Sequence, residues 1–145
     1  MIFFLLNQDI CKKISMNRFF YFFILLLIIV IHDSCESDPY RQGAILYEYF
    51  CANCHGSDGN GLGKNIPPLV GSEVIKDPIT MGCIIRNGLS GEITVKGIKY
   101  NEKMPAVTRL SDFEIANVIN YIQQKWGNQQ YVQINTLQEG LKNCK

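Results

Sequence analysis

Cys51-Ala52-Asn53-Cys54-His55 is the stretch on which the reading of this chain turns. Two Cys three positions apart lie on one side of a helical turn, and a His follows directly. That spacing suits the two vinyl groups of a haem, with a thioether to each sulfur and the imidazole aimed at the iron. Covalent capture lets a small domain keep its haem while one edge stays open to partners. Two other chemistries use paired cysteines. A structural zinc needs four ligands, and beyond the pair the body of the chain offers only the distant Cys83 and Cys144 and no further His. A thioredoxin-type pair sits in an alternating strand and helix pattern, whereas the residues around this pair read as helix and loop.

Working outward, Asp38 is a candidate helix N-cap and Pro39 a candidate first helical residue. Tyr40 to Ala52 then read as a helix carrying Gly43, Tyr47 and Phe50 on one face. Downstream, residues 56–71 hold five Gly and two Pro, which makes them loop. Asp77-Pro78 repeats the cap pattern and predicts a short helix over 78–87, closed by Gly88. Glu92 to Val95 and Ile98 to Tyr100 flank Lys96-Gly97 and predict a small β-hairpin. Ser111-Asp112-Phe113-Glu114 is a capping box. Ile115, Val118, Ile119, Ile122 and Trp126 follow it at helical spacing, up to Gly127. Thr136-Leu137-Gln138-Glu139 predicts a second capping box, opening a last short helix that ends near Cys144. The expected fold class is all-α, with about four short helices.

A second iron ligand is available at Met104, which lies in a loop 49 residues after His55 and just before the capped helix. A thioether is a soft, neutral ligand that favours Fe(II), so a His/Met pair raises the reduction potential. Met81 is the rival after the leader, but it falls inside the helix predicted over 78–87.

The beginning of the chain has a different character. Residues 19–31 are thirteen uninterrupted apolar residues preceded by Lys12, Lys13 and Arg18. A basic flank and an apolar run of this length read as a secretory signal over 1–34, and the run is short for a membrane span. The alternative is an uncleaved signal anchor, and Met16 is an alternative start. Cys35 follows in a setting that resembles the lipobox of bacterial lipoproteins. Ser34 fits that pattern; His32 and Asp33 depart from it. Cys35 is therefore a candidate lipidation site at the head of a linker over 35–38, the alternative being a surface thiol. Cys11 precedes the export signal. Cys83 and Cys144 are left over, and in an oxidising compartment they read as a disulfide, the alternative being two buried free thiols. The bond would close a loop of roughly sixty residues and contribute about 3–4 kcal/mol in the chain-entropy model.

With the motif, the Met104 loop and the capped helix in hand, residues 40–127 resemble small class I mono-haem cytochromes c. The departures (the Cys83/Cys144 pair, the hairpin and the tail after Gly127) are similar to lipid-anchored cytochromes of the Bacteroidetes type. The resemblance implies a cytochrome c fold around one covalently bound haem c, with the hairpin before the axial Met loop. It covers a domain over 39–127, with a tail over 128–145 packed on it. It implies that a backbone carbonyl beside Pro67 or Pro68 accepts the other N–H of His55. Val118 and Tyr121 would pack across the first helix near Gly43, where a missing Cβ permits close approach. Tyr100 and Arg86 could meet haem propionates, with ordinary packing and a solvated charge as equal alternatives.

The functional expectation is an exported, periplasmic carrier of single electrons between unidentified redox partner proteins, held at the membrane by a lipid or signal anchor. Cys51, Cys54, His55 and Met104 hold the cofactor, and no catalytic residues are expected. The second expectation is a haem c subunit of a larger respiratory oxidoreductase. The charge balance, 14 Lys+Arg against 13 Asp+Glu, argues against nucleic acid as a partner.

Overall fold

The computed structural model describes residues 18–26 and 38–144. Met16, Cys11, the proposed cut before Cys35 and Cys35 itself lie outside the described residues. Residues 18–26 are helical, and Phe19, Phe20, Tyr21, Phe22 and Phe23 are all exposed. Among the described residues no helix is long and apolar enough to cross a membrane.

A second unit starts at Asp38 and is built from helices with one small hairpin. Helix α1 spans Arg41–Phe50 and α2 is the single turn Ala52–His55. A long loop with a 3-10 turn at Val74–Lys76 leads to α3, Pro78–Asn87. Strands β1 (Ile93–Val95) and β2 (Ile98–Tyr100) pair antiparallel, Ile93 opposite Tyr100 and Val95 opposite Ile98. The turn between them places both Lys96 and Gly97 at positive φ, as tight hairpins require. Helix α4 is Asp112–Trp126 and α5 is Ile134–Leu141.

The local signals act as their chemistry dictates, with three exceptions. Asp77 caps α3 by accepting from the Ile79 and Thr80 N–H groups. Ser111 and Glu114 form the reciprocal box that opens α4. Asp38, however, does not cap α1; its carboxylate accepts from the Tyr40 N–H in a turn, and the helix starts at Arg41. The first helix is also not continuous to Ala52. Cys51 interrupts it at φ −120°, so that α2 begins afresh. Thr136 and Glu139 fall inside α5, which starts at Ile134 after Gln133, without a side-chain cap. Val132 and Leu137, both buried, set where the tail turns, and that burial overrides a weak local motif.

The α1–α4 crossing is the tightest joint. A Cβ added to Gly43 would strike the Asn117 carbonyl and come within 2.8 Å of Tyr121 Cβ. Behind it Tyr47, fully buried, packs edge-on to Trp126 and against Tyr121, at ring-centre distances of 5.2 and 5.4 Å. The core continues through Ile115, Val118, Ile119 and Ile122 of α4 to Met81 and Ile85 of α3 and Leu137 and Leu141 of α5. Thus the tail contributes side chains to the one hydrophobic core rather than lying over it.

Candidate functional site

The pieces singled out from sequence converge on a cleft of about 420 Å³, lined by Cys51, Cys54, His55 and Met104. Apolar walls come from Phe50, Leu62, Ile66, Ile85, Leu89 and Ile93. A smaller recess of about 80 Å³ shares Cys51, His55 and Met104 and reaches Met81, Ile84 and Ile122. The size and the apolar lining with a few convergent donors are those of a cofactor site.

His55 is set by three local contacts. Its backbone N–H donates to the Cys51 carbonyl at 2.9 Å, and its carbonyl accepts from the Gly61 N–H at 2.8 Å. The ring Nδ1 lies 3.4 Å from the Pro67 carbonyl oxygen. A carbonyl can only accept, so Nδ1 carries the proton and Nε2 keeps its lone pair. Of the two prolines, Pro67 therefore supplies the carbonyl. Burial lowers the imidazole pKa, and the Pro67 hydrogen bond partly opposes that shift. The Tyr47 hydroxyl donates to the Gly56 carbonyl at 2.7 Å and closes the turn behind the motif. Tyr47 is held mostly neutral by its own burial, which raises its pKa.

The two cysteines differ. Cys51 is partly buried and Cys54 is exposed, and neither is in a disulfide. Burial, with the neighbouring Cys54, pushes Cys51 up to about 12. Thioether formation at this position leaves no charge to bury.

Met104 is held by a different set of contacts. It exchanges two backbone hydrogen bonds with Leu89, both 2.9 Å. Gly88, at φ +76° and ψ −176°, ends α3. A Cβ there would strike the Met104 carbonyl oxygen and approach the Ala106 nitrogen to 2.8 Å. That backbone region belongs to glycine, so Gly88 lets the Met104-Pro105 segment lie directly on the end of the helix. The Val107 N–H then donates to the Ile85 carbonyl at 2.8 Å. Met81 is buried in the core and touches only the smaller recess.

Arg86 pairs with Asp112, joining α3 to the first turn of α4. Tyr100 is buried in the hairpin and does not line the cleft. Tyr100 is thus packed within the domain, and Arg86 has a carboxylate partner on α4. Cys83 and Cys144 are disulfide-bonded, with Cα atoms 5.5 Å apart.

Two polar residues escape sequence reasoning. Asn120 sits on the buried face of α4, donating to the Val132 carbonyl at 3.1 Å and accepting from the Val132 N–H at 2.9 Å. Gln123 donates to the Ile75 carbonyl and accepts from the Asn128 N–H. Their signal was available: each interrupts the apolar stripe of a helix with an amide, which burial tolerates only when both ends are hydrogen-bonded.

An apolar cleft, a single His with a fixed tautomer, a pair of cysteines and a facing thioether fit a covalently attached haem. The family model described as Cytochrome c matches residues 40–126. The chain is 38% identical to cytochrome c-552 of Thermus thermophilus over 59% of its own length and 69% of that protein. It is 31% identical to the alcohol dehydrogenase (quinone) cytochrome c subunit of Gluconobacter oxydans, over 59% of this chain and 18% of that one. With the gluconate 2-dehydrogenase cytochrome c subunit of Pantoea cypripedii it shares 34% identity over 64% of this chain and 22% of that one. The chain thus spans about a fifth of each of these dehydrogenase subunits.

Proposed function

The chain belongs to the cytochrome c family, and on that premise we propose that it is a mono-haem carrier of single electrons in which His55 and Met104 would ligate the iron. As a family member it carries covalently bound haem c, for which Cys51 and Cys54 fit the attachment motif. When bound, that group supplies a one-electron iron couple. The protein's own residues do the rest. Cys51 and Cys54 would hold the group through their sulfurs, and the Pro67 carbonyl engages His55 Nδ1, leaving Nε2 for the iron. The Met104 thioether would supply a second ligand without adding charge. The apolar walls exclude water, which favours the less charged, reduced state.

One observation carries this reading: His55 and Met104, distant in sequence, line the same cleft. With both bound no iron position is open, so electron passage is favoured over substrate binding. Absorption spectroscopy tests it. The oxidised protein is expected to show the far-red sulfur-to-iron band and, once reduced, to resist carbon monoxide; Met104→Ala abolishes the band and admits the gas. An absent band in the unaltered protein, with rapid carbon monoxide binding, overturns the assignment of Met104.

A subunit role is the second reading, favoured by the dehydrogenase cytochrome c subunits among the relatives. Under it the same cleft serves a fixed partner instead of a diffusing one, and a dehydrogenase co-purifies with the chain in stoichiometric amount. We further propose export to the periplasmic side, by a signal over 1–34, with Cys35 as a lipid anchor. Mass spectrometry of the mature N-terminus tests this; an unmodified Cys35, or a chain still carrying the leader, removes the lipid anchor.

A further inference from the structure

Helix α3 stands between two structures that do not touch one another in sequence. On one side Ile85 lines the cleft and Ile84 the smaller recess. At its end Leu89 and Gly88 carry the Met104 segment, and the Ile85 carbonyl receives Val107. On the other side Cys83 is bonded to Cys144. A Cβ on Gly82 would come within 2.8 Å of Leu137 and 3.3 Å of Leu141, and one on Gly140 would meet Ile79 at 2.5 Å. The tail thus covers the back of α3 along its length, and Leu137 is fully buried there. The family match ends at residue 126, so this brace is an addition to the matched domain.

We propose that the tail, bound through Cys83–Cys144 and helix α5, is a positioning device that keeps α3 against the cleft and so sets how firmly Met104 stays engaged. This rests on Met104 being the sixth ligand. The physical reason is that Met104 has no contiguous hydrogen-bonded turn of its own. It is fixed by its strand-like pairing with Leu89, and Leu89 follows directly on α3. If α3 shifts, the thioether moves with it, whereas His55 is anchored through Cys51, Gly61 and Pro67, none of which belongs to α3 or the tail. Local opening on the Met104 side therefore needs less of the molecule to come apart.

The test uses the full-length holoprotein. Cys83→Ser/Cys144→Ser is compared with Leu46→Ala, which hollows the core at α1 and lowers global stability without touching α3. Imidazole is titrated against the oxidised protein, and the far-red band is followed with temperature. The double variant is expected to bind imidazole about tenfold more tightly than the unaltered protein, within the usual range of site-to-site coupling. It should also lose the band well below its unfolding temperature. Leu46→Ala should lose band and fold together. Equal imidazole affinity in the double variant and the unaltered protein, or the same gain in Leu46→Ala, overturns the proposal. Should the double variant fail to load haem, Leu141→Ala keeps the bond and thins the brace; it is expected to show the same early loss, and coincident loss of band and fold in it overturns the proposal. The absence of the band in the unaltered protein would instead count against Met104 as ligand, a separable failure.

Discussion

The two walls of the cleft are built on different principles. On the His55 side the contacts are short in sequence: Tyr47 to Gly56, Cys51 to His55, His55 to Gly61 and to Pro67. On the Met104 side every support comes from afar, through Leu89, α3, the disulfide and a helix near the chain's end. A wall made of local hydrogen bonds survives partial opening of the molecule, whereas one made of tertiary contacts holds only while its neighbours do. The proposed ligand pair is therefore asymmetric in mechanical terms, although both residues line one cleft.

The largest expected effect attacks what the two walls share. Gly43→Val forces a branched side chain into the Asn117 carbonyl, where backbone must yield on both helices. A loss of roughly 3 kcal/mol or more is expected, read as a fall in the denaturant midpoint. Because α1 and α4 underlie the whole core, the far-red band should vanish together with the helical signal. A band lost before the fold would show that this crossing belongs to one wall only.

Gly88→Ala sharpens the contrast on the Met104 side. It places a Cβ at a backbone conformation costing about 1–3 kcal/mol for other residues and against the Met104 carbonyl. Here the band should weaken at temperatures where helicity is intact. Haem attachment should be undisturbed in this variant, since haem staining on a denaturing gel reports only the thioethers.

Asn120→Ala is milder. It leaves the Val132 N–H and carbonyl without their amide partner, a cost of about 1–2 kcal/mol for buried groups. Tail release should appear as faster amide exchange in α5 before α4. Uniform exchange across both helices would mean that tail and core open as one unit.

How much of this asymmetry was legible in sequence follows from the range of the forces. Cys51 to His55, the Asp77 cap, the Ser111 box and the 93–100 hairpin are local patterns, and local chemistry decides them. The starts of α1 and α5 depart from their cap motifs: Asp38 makes a turn with the Tyr40 N–H instead, and Thr136 lies inside a helix beside the buried Leu137. Asn120 and Gln123 marked themselves as amides in an apolar stripe, but nothing local says which distant backbone they meet. The choice of Pro67 over Pro68, and of Asp112 as the partner of Arg86, depended on placement in three dimensions and could not be read from spacing.

The smallest expected effect concerns the Arg86–Asp112 pair, which ties the Met104 side to the shared core. The two side chains are 33% and 31% exposed, so solvent screens the attraction and the contribution is modest. The Arg86 guanidinium, through its hydrogen bond first and its charge second, holds the Asp112 carboxyl below the usual carboxylate range. A carboxylate whose folded pKa is depressed stabilises the fold fully above its unfolded pKa, near 4. That contribution drains away as pH falls through the lower folded value, when the unfolded chain takes up the proton more readily. Stability of the unaltered protein should therefore slope downward below about pH 4. Asp112→Asn should flatten part of that slope while lowering the neutral-pH stability by about a few tenths of a kcal/mol. Because α3 is one end of the pair, the acid loss should be seen first in the far-red band and only later in helicity. An acid transition in which band and helicity fall together would place the pair in the common core and remove it from the Met104 wall.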